Sequence, residues 1–127
     1  MSQILLIEPD RLLAETYKKA LSTAGHKVSV ASGSQEAINL ADKISPDLII
    51  LEIQLVGHSG IEFLYEFRSY PEWQNIPVII HTSVPYAELA NGWPILSGYL
   101  NTMEYRYKPN TTLESLISSV NDLALSA

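Results

Sequence analysis

At 127 residues, with 46% hydrophobic and 17% charged side chains, the chain has the size of one ordinary domain and enough apolar matter to bury a core. Cysteine is absent, which excludes disulfides, thiolate nucleophiles and cysteine-held zinc. The formal charge of −6 comes with scattered basic residues, not the basic stripe that nonspecific nucleic-acid binding needs.

Met1-Ser2-Gln3 carries no basic leader region and runs straight into Ile4-Leu5-Leu6-Ile7, so a cytoplasmic protein is expected. Such a short continuous apolar run suits a strand covered on both faces. A helix follows, with Asp10 as its cap, Leu13, Tyr17, Ala20, Leu21 and Ala24 at helical spacing, and Gly25 at its end. Val28 to Val30 is shorter and more polar, as an edge strand would be. A second helix follows Ser34 with Ala37, Ile38, Ala41 and Ile44 inward. Leu48-Ile49-Ile50-Leu51 is the most apolar strand and the expected centre of the sheet; Glu52 and Gln54 interrupt the run far short of the about 20 residues that a membrane span needs.

Gly57 lies in the following loop, and Ser59-x-x-Glu62 is a capping box for a third helix with Phe63, Leu64 and Phe67 inward. Pro77 precedes a fourth strand, Val78-Ile79-Ile80. Between Ser83 and Thr102 the residues Pro85, Gly92, Pro94 and Gly98 rule against one continuous helix; a short helix near Tyr86 to Ala90 and a second irregular or helical piece are expected. Met103 to Tyr107 reads as the fifth strand. Thr111-x-x-Glu114 is expected to cap a last helix whose inward set is Leu113, Leu116, Ile117, Val120 and Leu123. Strand and helix alternating in this way predict an α/β fold, a parallel sheet with helices on both faces, as one domain over 1–127. Sites in such sheets lie at the carboxyl ends of the strands.

At those ends stand Glu8 and Asp10 after the first strand, Glu52 after the third, Thr82 after the fourth and Lys108 after the fifth. Taken singly, each has an ordinary explanation: a solvated acid, a helix cap, the start of a turn. Jointly they gather three acids, a hydroxyl and an amine from distant parts of the chain. No Gly-rich phosphate loop accompanies them, since Gly57-His-Ser-Gly60 is too short. His26, His58 and His81 show no metal-ligand spacing, and His81 is expected to pack at a strand end.

The order and spacing of Ile4-Leu-Leu-Ile-Glu-Pro-Asp10, Pro46-Asp-Leu-Ile-Ile-Leu-Glu52, Gly57-His-Ser-Gly60, Pro77-Val-Ile-Ile-His-Thr82 and Tyr105-Arg-Tyr-Lys-Pro109 resemble the receiver domains of bacterial response regulators. The resemblance covers essentially the whole chain. It implies a flavodoxin-like sheet of five parallel strands in the order 2-1-3-4-5. It also implies magnesium held by an acidic pair after the first strand, and a phosphoryl group accepted by an aspartate ending the third. A threonine or serine and a lysine would engage the phosphoryl oxygens, and an aromatic residue on the fifth strand would act as the switch. Thr82, Lys108 and Tyr105 stand at those last three positions.

Two departures stand out. Pro9 occupies the second place of the acidic pair, leaving Glu8, Glu52 and the carbonyl of Gln54 to hold magnesium, with Asp10 one residue late; weak affinity is expected and no cofactor is assigned. Glu52 stands where the family has its phosphoaccepting aspartate, and its extra methylene moves the carboxylate by about 1.5 Å. A displacement of about 1 Å can cost on the order of 100-fold in rate. The expectation is therefore a pseudo-receiver, not an enzyme, that binds a protein partner without phosphorylation. The partner would be a histidine kinase, another regulator or an attached domain. The contact would run through 86–107, where Tyr86, Trp93, Ile95, Tyr99 and Leu100 cluster, and the last helix. The alternative is a working receiver that accepts phosphate at this unusual acidic position, from a histidine kinase.

Overall fold

A computed structural model describes residues 2–57, 59–102 and 104–126, with side chains as far as Leu123. The chain alternates β1 (Gln3–Ile7), α1 (Arg11–Thr23), β2 (Lys27–Ala31), α2 (Ser34–Ile44), β3 (Leu48–Leu51), α3 (Gly60–Arg68), β4 (Val78–Thr82), α4 (Tyr86–Leu89), β5 (Glu104–Tyr107) and α5 (Leu113–Ser126). All strand pairs are parallel, and the sheet order is β2-β1-β3-β4-β5. His58 and Met103, expected in a turn and at the start of the fifth strand, lie outside the described residues.

Each strand sends alternate side chains to opposite faces. Leu5, Ile7, Ile49, Leu51, Val78 and Ile80 face a core shared with α2, α3 and 89–100. Ile4, Leu6, Leu48, Ile50 and Ile79 face α1 and α5. Both faces being covered explains why β1, β3 and β4 are almost uninterrupted apolar runs.

The helix ends follow local chemistry. Asp10 accepts the N–H of Leu13 at the start of α1, and Gly25 (φ +99°) carries the chain out of it. The exit leaves Ala24 exposed, and Ala14 occupies the core in the place expected for it. The N-cap of α2 is Gly33, and its first turn is tied by Glu36, which accepts the N–H of Ser32 at 2.7 Å. Ser59 caps α3 through the N–H of Glu62. At α5 the cap is Thr112, not Thr111: Thr112 accepts the N–H of Ser115, while Thr111 donates to the carbonyl of Tyr107. Leu113 is 40% exposed, and Leu116 and Val120 carry the packing of this helix.

From Thr82 to β5 the chain makes α4, a 3-10 turn at Ala90–Gly92 and a π-helical turn at Ile95–Tyr99. Leu89, Leu96 and Leu100 anchor it in the core. It is held from below by Arg68, which is buried and donates to the carbonyls of Leu100 (2.8 Å), Trp73 (2.5 Å), Ile76 (2.7 Å) and Asn101 (3.1 Å). Burial lowers the Arg68 guanidinium to about 10, still charged at neutral pH. Trp73 stacks on Phe67 and closes the end of α3.

Candidate functional site

The carboxyl ends of β1, β3, β4 and β5 meet at one cluster. Glu8 and Glu52 are 3% exposed, and Lys108 reaches between them from the end of β5. Its Nζ lies 2.6 Å from Glu8 Oε1 and 2.8 Å from Glu52 Oε1. The remaining lone pairs are also occupied. Glu52 Oε1 accepts the N–H of Ser83 (3.3 Å), and Oε2 accepts the N–H of Gln54 (3.1 Å) and the hydroxyl of Thr82. Glu8 Oε2 accepts the N–H of Asp10 at 3.0 Å. One ammonium thus faces two carboxylates, and the excess negative charge is held by three backbone N–H groups and a hydroxyl.

Close backbone packing positions Glu52. A Cβ on Gly60 would lie 2.7 Å from Ile53 Cα and 2.9 Å from Glu52 O, so only glycine lets the start of α3 pass so near the end of β3. On the other side of the sheet end, Tyr105 donates to the carbonyl of Val84, and the N–H of Val84 donates to Thr82 Oγ1 at 3.1 Å. A hydrogen-bonded chain therefore runs from Glu52 through Thr82 and Val84 to Tyr105. The Tyr105 ring packs edge-on to Tyr86 (5.3 Å) and Trp93 (6.2 Å).

Competing effects set the charge states. Burial alone would raise the Glu52 carboxyl, but hydrogen bonds from Lys108, Thr82 and Gln54 outweigh it and leave it below its ordinary 4.5. Burial would lower Lys108, yet its bonds to Glu52 and Glu8 raise it above 10.5. Both are ionised across the neutral range. His81 is pushed down to about 4, chiefly by burial and then by Lys108; it packs edge-on to Tyr17 at 5.0 Å and stays neutral.

The structure brings together Glu8, Glu52, Thr82 and Lys108, and links Tyr105 to them. Asp10 departs from the sequence reading. Its carboxylate turns to cap α1, and only its backbone N–H serves the acidic cluster. The donor set does not suit magnesium, because the ammonium of Lys108 sits between the two carboxylates that would ligate it. Among the described residues no group of three or more His, Asp or Glu side chains is placed to hold a metal ion.

Sequence reasoning missed the N–H groups of Ser83 and Gln54, which no side-chain pattern reveals. It also missed Arg68, although that residue follows Leu64 by one helical turn on the buried stripe of α3.

Residues 4–91 match the profile of the response regulator receiver domain. The chain belongs to that family. Its relatives include the transcriptional regulatory protein AfsQ1 of Streptomyces coelicolor, 30% identical over 65% of this chain and 36% of that protein. Another is the response regulator MprA of Mycobacterium leprae, 25% identical over 97% of this chain and 60% of that protein. The chain spans between about a quarter and three fifths of the length of the curated relatives it matches. Among solved structures, the chemotaxis protein CheY4 of Vibrio cholerae superposes with a TM-score of 0.85 at 20% identity, covering 97% of this chain and 98% of that one. The receiver domain of Francisella response regulator 1452 gives 0.84 at 24% identity, covering 99% and 98%. These likenesses establish the fold, a flavodoxin-like sheet in the order 2-1-3-4-5. Membership of the receiver family places the domain in two-component signalling.

Proposed function

We propose that this receiver domain is a regulatory protein-binding module that works without phosphorylation and is not an enzyme. One observation carries the reading: both oxygens of Glu52 already accept two donors each, from Lys108 and Ser83 on one side and Thr82 and Gln54 on the other. A carboxylate accepts about four such bonds, so no lone pair remains for attack on phosphorus. Phosphoryl transfer also needs a cation to neutralise the transferring oxygens, and Lys108 is engaged by Glu8 and Glu52. The side chain that the family carries as aspartate is here a glutamate folded back into the protein's own hydrogen bonds.

Glu52 and Thr82 then hold the turn after β4 in one arrangement, and through Val84 they fix Tyr105 beside Tyr86 and Trp93. A histidine kinase, another regulator or an attached domain would read that fixed surface in the cytoplasm. The second reading is a working receiver phosphorylated at Glu52 by a histidine kinase. The presence of Thr82 and Lys108 at the carboxylate favours it. Incubation with acetyl phosphate and magnesium, followed by intact-mass measurement, separates the two. An unchanged mass is expected; a stoichiometric phosphate adduct would establish the second reading.

A further inference from the structure

The segment between β4 and β5 builds a groove against α3 whose lining includes none of Glu8, Glu52, Thr82 and Lys108. Ile61 and Tyr65 of α3 line it together with Glu88, Leu89, Ile95 and Leu100 of the segment, Leu89 and Leu100 being buried. Single exposed apolar side chains are common on any surface, but here several meet across two elements. Tyr65 is 47% exposed, Ile95 51% and Tyr99 74%, and the rings of Tyr65 and Tyr99 lie 5.9 Å apart. The groove is also preformed. Arg68 bonds the carbonyls of Leu100 and Asn101 from beneath, and the π-helical turn is closed by the N–H of Leu100 on Ile95 O at 2.8 Å. A preformed groove spares its occupant the cost of ordering it.

Charge says what that occupant is. The eight basic residues fall at 11–43 and 106–108, with the single exception of Arg68, which is buried. Every exposed charge on α3 and on the segment 83–102 is therefore negative: Glu62, Glu66 and Glu88. Glu88 lines the groove itself, and Glu62 lies one turn from Tyr65 on α3. An apolar trough with an acidic rim complements a helix with one apolar stripe bordered by lysine or arginine. We propose that this groove docks a basic amphipathic helix of a protein partner. The proposal rests on the protein-binding role above, and it names a surface distinct from the Tyr86, Trp93 and Tyr105 cluster.

The test uses the whole chain and two synthetic peptides of helical periodicity, one of leucine and lysine and one of leucine and glutamate, followed by fluorescence anisotropy. The lysine peptide should bind, the glutamate peptide should not, and added salt should weaken the complex. Glu88→Lys and Ile95→Asp, both surface changes, should each weaken binding by about fivefold or more, whereas Glu15→Lys on α1 should leave it unchanged. Amide shifts on peptide addition should concentrate at 61–69 and 88–100. Equal binding of the two peptides, an equal loss with Glu15→Lys, or shifts centred on Tyr105 would each overturn the proposal. No phosphodonor enters this titration. Failed binding here leaves the mass result on Glu52 untouched, and a phosphate adduct there leaves this surface measurable.

Discussion

Lys108 holds one positive charge against two carboxylates in a place where its side chain is only 13% exposed. Removing one partner from such a buried arrangement leaves uncompensated charge and costs about 3–5 kcal/mol. Lys108→Met should therefore destabilise the fold by about 3 kcal/mol at neutral pH, measured by urea unfolding. The pH dependence has a defined sign. Glu52 lies below its ordinary 4.5 in the folded state, so its contribution is complete above 4.5 and fades as pH falls through the lowered value. Lys108 lies above 10.5, so its contribution is complete below 10.5 and fades as pH rises through the raised value. The deficit of Lys108→Met should stay constant between these limits and shrink outside them. At this scale the sequence shows that Glu8, Glu52, Thr82 and Lys108 end neighbouring strands. It does not show their pairing, because strand ends fix Cα positions to within a few ångströms and rotamers decide the rest. Asp10 illustrates the limit: cap and pocket lie within reach of the same residue, and the orphan N–H of Leu13 takes its carboxylate.

Among the elements, the stretch from Ser83 to Thr102 depends on a side chain far from it in sequence. Arg68 supplies donors to four carbonyls, including Leu100 and Asn101. Arg68→Met would strand those buried acceptors at a cost of about 2–4 kcal/mol. Amide exchange at Leu100 and Thr102, whose N–H groups close the turn on Ile95 and Leu96, should accelerate more than exchange in β1. Arg68→Lys should rescue little, since an ammonium has three donors and no planar fork. Pro85, Gly92, Pro94 and Gly98 make the interruption of this stretch legible in the sequence. They say nothing of which turn types result, because α, 3-10 and π turns differ by one residue in their bonding partner. The cap of α5 fails in the same way: Thr111 and Thr112 are both competent, and only the fold decides that Thr111 bonds back to Tyr107.

For the molecule as a whole, the sheet was the most legible feature. Apolar runs alternating with helical periodicity imply a parallel sheet with few topologies once crossovers are right-handed, and the resemblance to receiver domains supplies the order 2-1-3-4-5. The two cores on either side of the sheet also make acid stability a global property. His81, in β4, lies at the interface with α1 and has a value of about 4 when folded against 6.5 when free. The unfolded chain therefore binds a proton that the folded one does not, and stability should fall as pH drops from 6.5 towards 4. His81→Phe, which keeps a ring against Tyr17, should flatten that slope in thermal melts across this range; an unchanged slope would assign it to other groups.

The ammonium at the acidic cluster belongs to the polypeptide, and that has a consequence for how the domain meets its surroundings. A divalent ion arrives by diffusion, and its occupancy rises and falls with the free pool. A tethered amine has an effective local concentration fixed by the geometry of β5, and neither dilution nor a chelator alters it. This ammonium is inherited with the chain, so its share of the charge at the end of this sheet is set when the protein folds.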